Sequence, residues 1–178
     1  MGKRSDFVRR PMDAYQTIDP RAVAALLPFI EGLSYFAEPC RGEGFLERQL
    51  NDIGLACLWS SDIADNDPPI DALTLTADDL GAIDAIITNP PWSRPILHEM
   101  ILHFQKIAPT WLLFDADWAH TKQAAPFLAQ CSHIVSVGRL RWIEGTKQTG
   151  KDNCAWYRFD AHHANGPHFY GPVMAVAA

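Results

Sequence analysis

With 178 residues, 48% apolar and 20% charged, the chain has the size and make-up of one globular domain, expected to span residues 1–178. No run approaches the ~20 apolar residues of a membrane span, and basic Met1–Arg10 lacks the apolar core of a secretory signal. The net charge of −6 would exclude a polyanionic partner only if it were evenly spread, and it is not: residues 31–120 carry 4 basic and 15 acidic side chains, residues 1–30 carry 5 and 3, and residues 121–178 carry 6 and 3.

Taken in chain order, Pro20 opens a first helical turn and residues 21–30 read as a short apolar-rich helix. Residues 34–38 are a predicted strand, stopped by Pro39. Gly42 and Gly44 mark a turn, after which 45–52 has helical spacing with Phe45, Leu46 and Leu50 on one face. A second strand is predicted over 55–59, leading to Asp62, and a short third over 72–75. Residues 83–88 are strongly β-prone and end at Asn89-Pro90-Pro91. A helix is predicted over 95–107, its apolar stripe being Ile96, Leu97, Met100, Ile101 and Phe104. A buried strand over 110–114, a helix over 121–130 and strands over 133–137 and 155–159 complete the series. The polar loop 144–153 joins the last two strands, and the tail after Asp160 has no predicted element. This alternation predicts an α/β domain with a largely parallel sheet and helices on both faces.

Cys40, Cys57, Cys131 and Cys154 lie far apart with no CxxC pair and no histidine at zinc-finger spacing, so no metal site is expected. A reduced, cytoplasmic setting follows.

Three motifs fall at the ends of the first, second and fourth predicted strands, where an open parallel sheet binds its ligands. The first is Glu38-Pro39-Cys40-Arg41-Gly42-Glu43-Gly44. Its glycines allow a tight turn and close approach to a ligand. The position three after Gly44 is Glu47, not the third glycine of a dinucleotide fingerprint, and no Gly-Lys-Ser/Thr follows for a phosphate loop. Glu38 and Glu43 would repel a pyrophosphate, so a cationic cofactor suits this loop better. The second is Asp62, about 20 positions on, where a carboxylate can accept both hydroxyls of a ribose; Asp65, Asp67 and Asp71 are rivals for cofactor contact. The third is Asn89-Pro90-Pro91-Trp92. Two prolines remove two amide donors and leave carbonyls free to accept. The Asn89 side chain and the Pro90 carbonyl are then two acceptors for one exocyclic amine. Trp92 offers a face for a base, worth ~1–3 kcal/mol when stacked.

Together these residues resemble class I S-adenosylmethionine-dependent methyltransferases, and more narrowly the short, phage-type, gamma-order adenine-N6 DNA methyltransferases. Asn89 to Trp92 meets their pattern [DNS]-P-P-[YFW], and Glu38 to Gly44 resembles their first motif. Asp62 matches their ribose-binding acid. Asp71-Ala72-Leu73 resembles an Asp-Phe-Leu motif whose aspartate meets the cofactor's adenine amine. Tyr15-Gln16-Thr17 resembles a Tyr-x-Thr-Pro motif that closes over the methionine carboxylate, with Ile18 in place of the proline. The resemblance covers residues 13–160. It implies a Rossmann-like fold with an antiparallel last strand, S-adenosylmethionine as cofactor, and catalysis by Asn89, Pro90, Pro91 and Trp92. It implies cofactor binding by Tyr15, Thr17, Glu38, Pro39, Gly42, Gly44, Asp62 and Asp71.

The expected reaction is methylation of adenine N6 in DNA in a bacterial or phage-infected cell. RNA bases, a protein glutamine amide, or a non-catalytic S-adenosylmethionine-binding subunit are the alternatives. The length leaves no room for the family's separate target-recognition domain, which leaves a part for a separate specificity partner or a homodimer. The loop 144–153 is the candidate for contact with nucleic acid: Lys147 and Lys151 can meet phosphates, and Arg139, Arg141 and Trp142 precede it.

Overall fold

The computed structural model describes residues 15–64, 69–146 and 148–172. The strands are β1 (Tyr35–Glu38), β2 (Ala56–Ser60), β3 (Ala85–Thr88), β4 (Thr110–Asp115), β5 (Cys131–Gly138), β6 (Cys154–Phe159) and β7 (His168–Tyr170). They form one seven-stranded sheet in the order β2-β1-β3-β4-β6-β5-β7. Neighbours from β2 to β4 are parallel, β6 runs antiparallel between β4 and β5, and β7 lies parallel beside β5. The predicted α/β architecture is therefore present, and the strand predicted over 155–159 is the antiparallel β6. β7 is an addition: it arises in the tail for which no element was predicted.

Successive side chains of a strand point to opposite faces, and both faces of the central strands are covered, so those strands read as largely apolar runs. Ala37, Ile86, Leu112, Phe114 and Tyr157 enter one core with helices α3 (Ala77–Leu80) and α4 (Arg94–Phe104). Phe36, Ala85, Ile87, Trp111, Leu113 and Trp156 enter the other with helices α1 (Arg21–Leu26) and α2 (Phe45–Asp52). Trp156 is fully buried and its indole N–H donates to the Ala22 carbonyl at 2.8 Å, which ties α1 to the sheet. Truncating so large a buried ring would cost ~3–5 kcal/mol.

Local chemistry displaces three predicted elements. Residues 72–75 are not a strand: Ala72–Thr74 is a 3₁₀ turn. The Asp71 carboxylate accepts the Leu73 N–H at 2.9 Å, and the Thr74 hydroxyl donates to the Asp71 carbonyl at 2.7 Å. These bonds satisfy the backbone locally and outcompete a ladder. The sheet therefore ends at β2, where Asn51 Oδ1 accepts the Cys57 N–H and the Cys57 thiol donates to the Trp59 carbonyl. The helix predicted over 121–130 shrinks to Ala125–Leu128, with Pro126 in its first turn, the one place where a missing N–H does no harm. The helix predicted over 21–30 becomes 3₁₀ from Leu27 because Pro28 interrupts it. Among the described residues no helix is long and apolar enough to cross a membrane.

Candidate active site

A cavity of about 490 Å³ opens at the carboxyl ends of β1 and β3. Tyr15, Thr17, Glu38, Pro39, Gly42, Asp62 and Asp71 line it, as do Asn89, Pro90 and Pro91, so residues picked from five separate motifs share one space. Gly44 does not line it. It takes a left-handed φ of 75° as the N-cap just before α2.

The glycine turn works by close approach. Gly42 has φ 51°, and a Cβ there would lie 2.6 Å from the Gln16 side chain. Its absence lets the segment 15–17 settle on the loop, where the Glu43 N–H donates to Gln16 Oε1 at 3.0 Å and Gln49 Nε2 donates to the Thr17 carbonyl at 2.7 Å. Gln16 is a residue sequence reasoning passed over; its only signal was its place inside the Tyr-x-Thr motif. Asp62 bridges the two strand ends, accepting the Gly42 N–H at 2.8 Å and the Ala64 N–H at 2.9 Å. Its rivals Asp65 and Asp67 lie outside the described residues.

Glu38 is 1% exposed, and its Oε2 has no hydrogen-bond partner. Burial, with Glu47 nearby, holds its carboxyl well above the usual range. Cys40 also lines the cavity, and burial pushes its thiol up to about 12, which disfavours the thiolate.

At the rim stands Asn89. Its Nδ2 donates to the Tyr15 carbonyl at 3.1 Å, and its Oδ1 accepts the Trp92 indole N–H at 3.1 Å. A carbonyl can only accept and an indole N–H can only donate, so the amide has one possible orientation. Oδ1 keeps a second lone pair. Trp92 also donates to the Leu113 carbonyl at 3.3 Å, which anchors the ring.

Asn89, Tyr15 and Ser93 also line a second cavity of about 690 Å³. Trp92 and Trp142 form a corner of it, their ring centroids 5.8 Å apart and their planes at 88°. Gly150 makes this possible: a Cβ there would lie 2.8 Å from Trp142 Nε1. The Gly150 N–H donates to the Leu140 carbonyl at 2.7 Å, closing the neck of the loop. Lys151 lines the cavity as well, while Lys147 is outside the described residues. Arg94 and Asp115, both overlooked in the sequence, pair at 2.8 Å in its wall. Asp115 ends β4, and the rule that ligands meet strand carboxyl ends could have found it.

Arg139 and Arg141 line neither cavity. The Arg141 N–H donates to Asp19 Oδ2 at 3.0 Å and the Arg139 carbonyl accepts from Arg21 at 2.8 Å. Burial alone would raise the carboxyl of Asp19, but its bonds to Arg21 and to the Arg141 amide outweigh that and bring it down to about 2. A carboxyl lowered on folding stabilises the fold above its ordinary range near 3.8, and the benefit fades as pH falls toward 2.

No protein-family profile and no curated protein matches the sequence. Solved structures do resemble the fold. A protein provisionally described as a class I S-adenosylmethionine-dependent methyltransferase from Listeria monocytogenes superposes with a TM-score of 0.56 at 11% identity, over 91% of this chain and 67% of its own. One provisionally described as an RNA methyltransferase from Pyrococcus horikoshii gives 0.50 at 16%, over 79% and 81%. A Thermoplasma acidophilum protein gives 0.52 at 14%, over 79% and 86%. The chain has the Rossmann-like fold of class I methyltransferases.

Proposed function

We propose that the chain is an S-adenosylmethionine-dependent methyltransferase that acts on the N6 amine of adenine in DNA. The observation that carries this reading is the position of Asn89, whose oriented amide lies where an acid-lined cavity meets an aromatic-cornered one.

The first cavity fits the cofactor in size and chemistry. Its volume of about 490 Å³ is that of a small-molecule site. The unpartnered oxygen of buried Glu38 suits a cation, and Asp62 and Asp71 are acceptors for hydroxyl and amine hydrogens. Tyr15 and Thr17 would cover the methionine end, against Pro39 and Gly42. When bound, S-adenosylmethionine supplies a methyl group already activated by its sulfonium. The protein's task is then positioning and electrostatics. Asn89 Oδ1 and the Pro90 carbonyl accept the two amine hydrogens and orient its lone pair. Trp92 and Trp142 enclose a base that has left its stack. Lys151 stands at the same cavity for a neighbouring phosphate.

The test is transfer of labelled methyl from S-adenosylmethionine to a panel of DNA, RNA and protein, with the modified unit identified by mass spectrometry. N6-methyladenine in DNA is the expected product. Label in RNA or protein alone would replace the substrate and keep the chemistry; no transfer to any of them would sink the proposal.

Glu38 gives the reading a pH signature. A group whose carboxyl is raised on folding favours the fold below its ordinary range and loses that contribution as pH climbs through the raised value. A cation bound beside it favours the carboxylate. Cofactor affinity should therefore rise with pH across this window, with proton release visible as a buffer-dependent heat in calorimetry. Glu38→Gln should abolish the buffer dependence; its persistence would exclude Glu38 as the source.

Gly150→Ala probes the second cavity. The added methyl must displace Trp142, and a shift near 1 Å costs on the order of 10²-fold in a positioned reaction. Transfer should fall by about that factor while cofactor affinity stays unchanged. Equal loss of both would mean the loop serves the cofactor cavity.

A further inference from the structure

We infer that Arg21 and Arg141, held at the buried carboxylate of Asp19, form with the neighbouring Arg139 a clamp for the phosphodiester backbone of the strand whose base enters the tryptophan-cornered cavity. The inference rests on the nucleic-acid substrate proposed above, and it adds a member, Arg21, that the sequence did not suggest.

Asp19 is 1% exposed and holds Arg21 in a fork, Nε to Oδ1 at 3.0 Å and Nη2 to Oδ2 at 2.7 Å. The same Arg21 Nη2 donates to the Arg139 carbonyl at 2.8 Å, across 118 positions of sequence. Arg141 Nε stands 3.5 Å from Asp19 Oδ2, a looser pair. One forked guanidinium and the Arg141 amide already meet the needs of a single carboxylate. The Arg141 side chain is surplus to them, so two guanidinium groups stand against one anion, and exposed Arg139 adds a third cation two residues before Arg141. Their outer edges face water: the side chains of Arg21 and Arg141 are 55% and 44% exposed, and Arg139 is exposed as well.

The place matches the chemistry. Arg141 directly precedes Trp142, which lines the second cavity, and the Leu140 carbonyl between Arg139 and Arg141 closes the neck of the loop bearing Lys151. The Asp19 arm leads back to Tyr15, which lines both cavities. The cluster thus sits at the root of both segments that frame the base site, and none of its members comes from the acid-rich stretch 31–120 of the sequence. Guanidinium groups presented in a held geometry meet phosphate oxygens with little further ordering, and such contacts set register without reading sequence.

The test uses the full chain and a fluorescein-labelled single-stranded oligodeoxynucleotide, with binding followed by anisotropy over a salt series. Each lost phosphate contact on a single strand lowers the slope of log affinity against log salt by ~0.7. Arg21→Gln and Arg139→Gln should each show this drop, and the pair together about twice it, while Arg139→Lys keeps the wild-type slope. Arg139→Gln is the variant safest for folding, because it retains the backbone carbonyl that Arg21 uses. In turnover, KM for DNA should rise several-fold with kcat and cofactor affinity unchanged. Wild-type slopes in both glutamine variants, on a protein that methylates DNA, would overturn the clamp alone. Absence of salt-dependent binding by the wild type would overturn the clamp and the nucleic-acid substrate together, leaving cofactor binding to be judged by calorimetry.

Discussion

Asn89→Ala is expected to lower methyl transfer by about 10²–10³-fold, the loss typical of removing one preorganised polar group from a reacting centre. S-adenosylmethionine affinity should hardly change. The amide has two duties in the free protein, accepting from Trp92 and donating to the Tyr15 carbonyl. Alanine removes both, so Asn89→Asp is the informative companion. It keeps an acceptor at the Trp92 side but turns a second acceptor toward the Tyr15 carbonyl, where two oxygens repel. If the rate follows the acceptor, aspartate should retain part of the activity that alanine loses. Full activity in the alanine variant, measured by label incorporation, would sink the assignment. A parallel collapse of cofactor affinity would show that Asn89 serves chiefly to hold the segment 15–17 in place.

Asp62→Ala should weaken cofactor binding by about 10–100-fold, in line with the 1.5–3 kcal/mol of hydrogen bonds to a charged group. Part of that loss would be loop order, because the Gly42 and Ala64 amides both donate to this carboxylate. Asp62→Asn separates the two effects. It retains an acceptor for one amide, so a preserved melting temperature with weakened affinity would identify the carboxylate as a direct contact. Calorimetry on both variants decides the matter, and unchanged affinity in the alanine variant would move the role to another acid of this cavity.

The central strands, the strand predicted over 155–159 and the cavity residues Glu38, Asp62, Asp71 and Asn89 were legible in the sequence because each rests on a local signal, whereas the antiparallel direction of that strand came from the resemblance. β-Branched and aromatic runs mark buried strands, and prolines and glycines mark where they stop. Acids and acceptors just past those stops fall at strand carboxyl ends by topology. Where two local signals competed, composition misled: 72–75 has the make-up of a strand, and the Asp71 cap turned it into a 3₁₀ turn. Likewise Ile96 belongs to the predicted apolar stripe of α4 yet is 40% exposed and lines the first cavity.

What only the tertiary structure decided are contacts between distant stretches of chain, which leave no periodicity behind. Gln16 lies over Gly42, Trp142 packs against Gly150, and Arg21, held on Asp19, donates to the Arg139 carbonyl. Each needs a glycine without a Cβ or a buried carboxylate at one point in space. The residue types are visible in the sequence, but their proximity exists only once the sheet has brought the segment 15–21 and the loop after β5 to the same edge of the site.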